Sequence, residues 1–316
     1  MQIQKFSSMT FREVATAYRE DHFADIEPGS VKTYAPALSR AIETFGDRRI
    51  DDIQPAEIKR FLKLCGESFA RKTVSNQKCV MQQVFDYAIV ELSVLVINPC
   101  VRVKIPANLQ KSQRTPLEPY EVAEIAATRP DEFLLAFLIL YTGARCGEAL
   151  ALQMKNIDFS SKKLYIGKAV HFNGNQANIG KLKTKNAERY VPLLYPLEKM
   201  LLGLCLAPDD YIIGGAKPIT KCALTKRWRR FCINHGLMAW KDGRYVPSIN
   251  RHQIRHEYAT MTFEAGVEPK AVQMLLGHAN IQTTLDIYTH FRQREFSKAA
   301  GQIEAHFLQM CLAIAG

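Results

Sequence analysis

Between Thr10 and about Val96, apolar residues recur at intervals of three and four. The pattern runs through FREVATAYREDHF, SVKTYAPALSRAIETF, QPAEIKRFLKLC and RKTVSNQKCVMQQVFDYAIVEL, and predicts a small all-helical domain of amphipathic helices. Pro28-Gly29-Ser30 marks the start of the second helix, with Ser30 as its N-cap. From Asn98 the periodicity stops in NPCVRVKIPANLQKSQRTPLEP, a basic stretch punctuated by prolines that reads as an interdomain connection. The expected division is a helical domain over 1–105, a linker over 106–115, a second domain over 116–300 and a tail helix over 301–316.

The second domain opens with helical patterns in TPLEPYEVAEIAATRP and DEFLLAFLILYTGARCGEALALQ. Alternation then takes over in DFSSKKLYIGKAVHFNGNQANIGKLKTKNAERYVPLL, with turn chemistry at Asn173-Gly174, and predicts a small antiparallel insert. Helices resume at about Leu197. The expected fold class is mainly α, with a small β-sheet or hairpin insert in the second domain. The apolar run from Phe133 to Tyr141 is about half the length that crosses a bilayer and reads as a buried helix.

Charge narrows the function classes. The chain carries a net charge of +11, which points to a polyanionic partner, nucleic acid or an anionic membrane surface. Residues 1–110 hold 15 basic against 13 acidic side chains, while 111–316 hold 27 against 18, so most of the attraction lies in the second domain. No predicted helix pairs a basic face with a membrane-inserting aromatic face, which disfavours a membrane-surface protein. Eight scattered cysteines without a CxxC pair, and an N-terminus without an apolar signal stretch, favour a reducing, cytoplasmic setting. In the first domain Lys32, Arg71, Lys72 and Lys78 lie near helix starts, where phosphates also bind, and are candidate DNA contacts.

Four short motifs in the second domain carry candidate chemistry. In Gly143-Ala144-Arg145-Cys146-Gly147-Glu148, Arg145 and Glu148 share one helical face. Lys181-Leu182-Lys183-Thr184-Lys185 precedes Arg189-Tyr190-Val191-Pro192-Leu193, so a lysine at a hairpin tip can enter a DNA groove or donate a proton. His252-Gln253-Ile254-Arg255-His256 sets His252 and Arg255 together to grip a phosphate; Thr260 stands where a zinc protease needs its second histidine. Last come Leu275-Leu276-Gly277-His278 and, ten residues after that histidine, Tyr288 in Tyr288-Thr289-His290. Singly each has an ordinary structural explanation as an ion pair, a soluble turn, a cap or a core aromatic.

Taken in order, ARCGE, KTKNAERYVPL, HQIRH, LGH and YTH resemble the tyrosine recombinases, within them the phage and genomic-island integrases. The resemblance spans about Thr115 to Ala300, with a looser match of the first domain to the family's core-binding domain. Ile254 replaces the common leucine of the box, a swap that conserves volume. Counting back from Val191-Pro192-Leu193 aligns Lys183 with the family's hairpin lysine, Lys185 being the alternative.

The resemblance implies a two-domain DNA clamp that cleaves and rejoins DNA through a 3′-phosphotyrosyl intermediate. Tyr288 is the implied nucleophile, Arg145, Arg255 and His278 the phosphate donors, His252 the proton acceptor, Lys183 the acid, and Glu148 their support. Lys185 and Arg189 join the candidate DNA contacts. No cofactor, metal or ATP is expected. The implied partners are double-stranded DNA, a homotetramer on that DNA, and accessory bending and excision proteins. A chromosome-dimer resolvase, a type IB topoisomerase-like enzyme and a DNA binder without catalysis are the competing classes.

Overall fold

The computed structural model describes residues 9–26, 28–109, 116–182 and 187–289, with 291–292, 296–297, 300–301 and 303–304 beyond them. Two compact units divide the chain, residues 1–113 and 114–316.

In the first unit the four amphipathic segments are α1 (Phe11–Asp25), α2 (Pro28–Phe45), α3 (Pro55–Ser68) and α4 (Arg71–Val90). Thr10 and Glu13 cap α1 reciprocally: the Glu13 amide donates to the Thr10 hydroxyl and the Thr10 amide to the Glu13 carboxylate. Ser30 is not the cap of α2. The helix begins two residues earlier at Pro28, whose fixed φ suits a first helical position and whose missing N–H would have no partner there. Lys78 likewise sits two turns inside α4 rather than at a helix start. The apolar faces meet around Phe11, whose ring lies 5.7 Å from Phe85 and 6.1 Å from Phe45. Gln77 is buried among them, but its amide donates to the Ala37 carbonyl at 2.7 Å and accepts from Arg40 at 3.0 Å, so no polar atom is stranded.

The aperiodic stretch from Asn98 is less free than its composition suggests. Cys100 and Val103 are buried in the first core, with Ile105 and Leu109 packed against it. Asn98 pins the turn, donating to the Gln82 carbonyl and Asp86 and accepting from the Cys100 amide at 2.8 Å.

The second unit is built on α5 (Pro119–Ala126), α6 (Leu135–Thr142), α7 (Cys146–Leu150), α8 (Tyr195–Leu202), α9 (Lys221–Asn234), α10 (Arg251–Glu264) and α11 (Pro269–Leu276). Every residue of α6 except Tyr141 is buried, as an apolar run of that length requires in a soluble core. The strands are β1 (Ile157–Asp158), β2 (Lys163–Ile166), β3 (Lys168–Asn173), β4 (Gln176–Lys181), β5 (Arg189–Pro192), β6 (Met238–Lys241) and β7 (Arg244–Pro247). β1, β2 and β5 make one antiparallel sheet in that order, while β3–β4 and β6–β7 are separate hairpins.

The expected insert is thus present, with its turn shifted by one residue. Asn173 pairs with Gln176, leaving Gly174-Asn175 at the tip. Asn175 has a second task there: its side chain accepts from the Cys222 amide and its carbonyl from the Lys221 amide, closing the start of α9. The β6–β7 hairpin was not anticipated. Among the described residues no helix is long and apolar enough to cross a membrane. Lys183, Lys185 and most of the expected tail helix over 301–316 lie outside the described residues.

Candidate active site

Two left-handed glycines organise the site. α6 ends at Gly143 with φ +62° and α11 at Gly277 with φ +62°, a backbone conformation that side chains with a Cβ rarely adopt. Each glycine offers its carbonyl to an arginine from elsewhere in the unit. Arg255, one turn into α10, donates to Gly143 at 2.7 Å and to Leu276 at 2.6 Å. Arg145, at the start of α7, donates to Gly277 at 3.0 Å. The two guanidiniums are thereby fixed by backbone, with N–H groups to spare, since each carries five.

Glu148 lies beneath them, only 2% exposed. Its carboxylate accepts from the Arg145 amide at 2.9 Å, the Arg145 guanidinium at 2.7 Å and Arg189 at 2.9 Å, with Arg255 at 3.7 Å. Burial works to raise its pKa, yet Arg189 and Arg145 outweigh burial and hold it below the ordinary value. Arg255 shows the opposite pressure. Burial first, then the neighbouring Arg145, push it down to about 9, which leaves it charged at neutral pH. One carboxylate therefore faces three guanidiniums, and the cluster is suited to receive an anion at its half-exposed member, Arg145.

His278 follows Gly277 and is almost buried. Burial, then Arg255 and Arg145, lower its pKa to about 3, so the imidazole is neutral. Its Nδ1 lies 2.9 Å from the buried Thr284 hydroxyl. The direction of this bond follows the imidazole tautomer. A neutral histidine carries one ring N–H and one ring acceptor.

His252 stands exposed in the first turn of α10, capped by Asn250, with its ring 4.4 Å from that of His256. Tyr288 lies on the helical residues 282–289, one turn past Thr284, with its half-buried ring edge-on to Phe263 at 5.1 Å. The structure thus brings together Arg145, Glu148, Arg255 and His278 and sets His252 on the same helix as Arg255. Tyr288 is tied to the cluster through the Thr284–His278 bond, and among the described residues its hydroxyl makes no hydrogen bond to it.

Arg189 corrects the expectation of a surface contact. It is 8% exposed and donates to the carbonyls of Leu275 and Ala187 and to Glu148. It therefore clamps β5 to the turn that carries His278. In the first unit Lys32 and Lys72 are exposed, Lys78 is half-buried, and Arg71 lies 3.4 Å from the carbonyls of Pro106 and Ala107.

A basic helix was missed. In α9, Leu224, Trp228, Phe231 and Cys232 turn inward, while Lys221, Lys226, Arg227, Arg229 and Arg230 are exposed and the helix itself contains no acidic residue. Five cations in fourteen residues without one carboxylate is a signal visible in the sequence.

Comparison with known proteins decides the family. The pattern of the phage integrase family matches residues 120–295, and that of the phage integrase central domain matches residues 11–104. The chain belongs to the phage integrase family. This family member is 27% identical to the ICEBs1 integrase of Bacillus subtilis (strain 168), over 95% of this chain and 84% of the relative. It is 29% identical to a XerC-like tyrosine recombinase of Caldanaerobacter subterraneus subsp. tengcongensis, over 82% of this chain and 73% of the relative. Its fold matches the Tn1549 transposon integrase in complex with transposon right end DNA, with a TM-score of 0.71 at 19% identity over 92% of this chain and all of the other. A lambda integrase tetramer bound to a Holliday junction matches with a TM-score of 0.66, again at 19% identity, over 89% and 78% of the two chains. As a member of this family, the protein is a site-specific recombinase that breaks and rejoins DNA.

Proposed function

We propose that Tyr288 attacks a phosphodiester held by Arg145, Arg255 and His278, and that the chain uses this reaction to integrate or excise a mobile element. The observation that carries the reading is the convergence of Arg145 and Arg255 on the buried Glu148, with His278 beside both arginines, each fixed by a backbone carbonyl or hydroxyl. Donors set in place before reaction need no reorganisation as charge develops on the non-bridging oxygens.

The phenol oxygen of Tyr288 bonds to phosphorus and the bond from phosphorus to the 5′ oxygen breaks. His252 takes the phenol proton and Lys183 supplies one to the departing oxygen. Rejoining is the reverse, with another strand's 5′-hydroxyl as nucleophile, so the phosphotyrosine stores the bond and no ATP is consumed. Lys183, with Lys185 as the alternative, takes its role from the motif.

Exchange between two duplexes uses four such sites, hence a homotetramer on DNA, with bending and excision proteins setting direction in a bacterial cytoplasm. The outward stripe of α9, with Lys32 and Lys72 of the first unit, supplies further phosphate and base contacts. Covalent trapping on nicked genomic fragments tests the nucleophile. Wild type is expected to yield adducts at a narrow set of sequences and Tyr288→Phe none. Adducts from Tyr288→Phe would assign the nucleophile elsewhere.

A further inference from the structure

The β6–β7 hairpin carries a surface that the reaction above does not use. Its turn, Asp242-Gly243, has φ of +49° and +77°, the left-handed pair of a tight two-residue turn. The register sets Lys241 opposite Arg244 and Trp240 opposite Tyr245. Trp240 and Tyr245 are 65% and 58% exposed, their rings edge to face at 5.0 Å. The hairpin is anchored at its root, where Met238 meets the core and the Ser248 amide donates to the Leu237 carbonyl, and β7 packs on α9.

Two features of this tip are unfavourable to the isolated protein. Like charges directly opposite across a ladder repel, and among the described residues neither Lys241 nor Arg244 has a carboxylate within ion-pair distance. The aromatic pair also leaves much of its area in water. An anionic, partly apolar groove relieves both.

We infer that the β6–β7 hairpin enters the major groove of duplex DNA beside the cleaved bond, with Lys241 and Arg244 on phosphates and Trp240 and Tyr245 on sugar and base edges. This rests on the recombinase reading. Alternation puts the cations on one face of the ribbon and the aromatics on the other, so a hairpin inserted tip first meets a groove wall with each. A major groove about 12 Å wide admits a two-stranded ribbon, whereas a minor groove of about 6 Å does not. Placement agrees: Tyr245 precedes His252 by seven residues, a span of at most about 24 Å when extended.

The chain's two tryptophans make the test direct, since Trp228 is 7% exposed and Trp240 65%. Acrylamide quenching of the full chain is measured with and without a mixed-sequence duplex at low salt, and affinity is followed against salt. The duplex is expected to shield Trp240 several-fold. The Lys241→Gln/Arg244→Gln variant, which relieves repulsion and keeps the hairpin, is expected to flatten the salt slope by about 1.8. Trp240→Ala is expected to bind about tenfold more weakly. Trp240 remaining equally quenchable on bound DNA, or an unchanged slope in the double variant, overturns the inference while leaving the recombinase reading intact. Failure of the wild type to bind duplex at all defeats both. Shielding that grows with protein concentration in the absence of DNA makes the hairpin a contact between copies instead, and also overturns it.

Discussion

Arg255 donates to the carbonyl of Gly143, two residues before Arg145 in the chain, at 2.7 Å. One of the two arginines proposed to hold the phosphate is therefore positioned by the turn that presents the other. A Cβ at Gly143 would lie 2.4 Å from the Tyr258 ring, and the φ of +62° is itself strained for alanine. Gly143→Ala is expected to destabilise the protein by about 2 kcal/mol or more and to lower covalent-adduct yield beyond what the lost stability explains. Urea unfolding beside adduct formation separates the two; a variant with wild-type yield would show that the turn does not position the arginines.

The two arginines are expected to fail differently. Arg145 is half-exposed, so Arg145→Ala should cost clearly less stability than Arg255→Ala while cleavage falls by about 10²–10³. Arg255 is buried on two carbonyls, and Arg255→Ala should lose comparable cleavage and also about 2–4 kcal/mol of stability. Equal destabilisation of both variants would contradict this division.

Arg189 tests the reading of a buried clamp against that of a DNA contact. Arg189→Met keeps bulk but removes one of the buried donors to Glu148 and the donor to two carbonyls, with an expected cost of about 3 kcal/mol. The salt dependence of DNA binding should not move. A slope shallower by about 1 would return Arg189 to the phosphate surface.

His278 makes a pH signature. Its folded pKa is depressed to about 3, whereas the unfolded imidazole titrates near the ordinary value of 6.5. Below that ordinary value the unfolded chain binds the proton and the folded chain does not, so stability is complete above it and is lost as pH falls from 6.5 towards 3. Denaturation midpoints of wild type should decline across this window, and those of His278→Gln should decline less. Parallel curves would mean that His278 is not held neutral.

Arg189 also shows where the sequence was legible and misread. In β5, Arg189 and Val191 are buried and Tyr190 and Pro192 are exposed. That period of two was plain in Arg-Tyr-Val-Pro-Leu, but a positive charge on the inward face was read as a surface residue because its partner, Glu148, is 41 positions away. The four helices of the first unit and the Arg145–Glu148 pair follow from local spacing and were readable. The aperiodic stretch from Asn98 gave no sign that Cys100 and Val103 are buried, because their burial depends on contacts that periodicity does not encode. The β6–β7 hairpin carried its Asp-Gly turn and flanking aromatics in view, yet its strands of four residues are too short for alternation to stand out. The pairing of glycine carbonyls with arginines joins positions more than a hundred residues apart and had no local signal.

α9 keeps its place through one side only, Leu224, Trp228, Phe231 and Cys232, with Asn175 closing its start. The opposite side, from Lys226 through Arg229 to Ile233, is exposed. Such a helix is free to drift in sequence while the chemistry beside it stays fixed. On the proposed role of α9 in contacting DNA, a lineage gains new chromosomal addresses by surface substitution alone, and a laboratory can seek them by randomising those positions without rebuilding the enzyme.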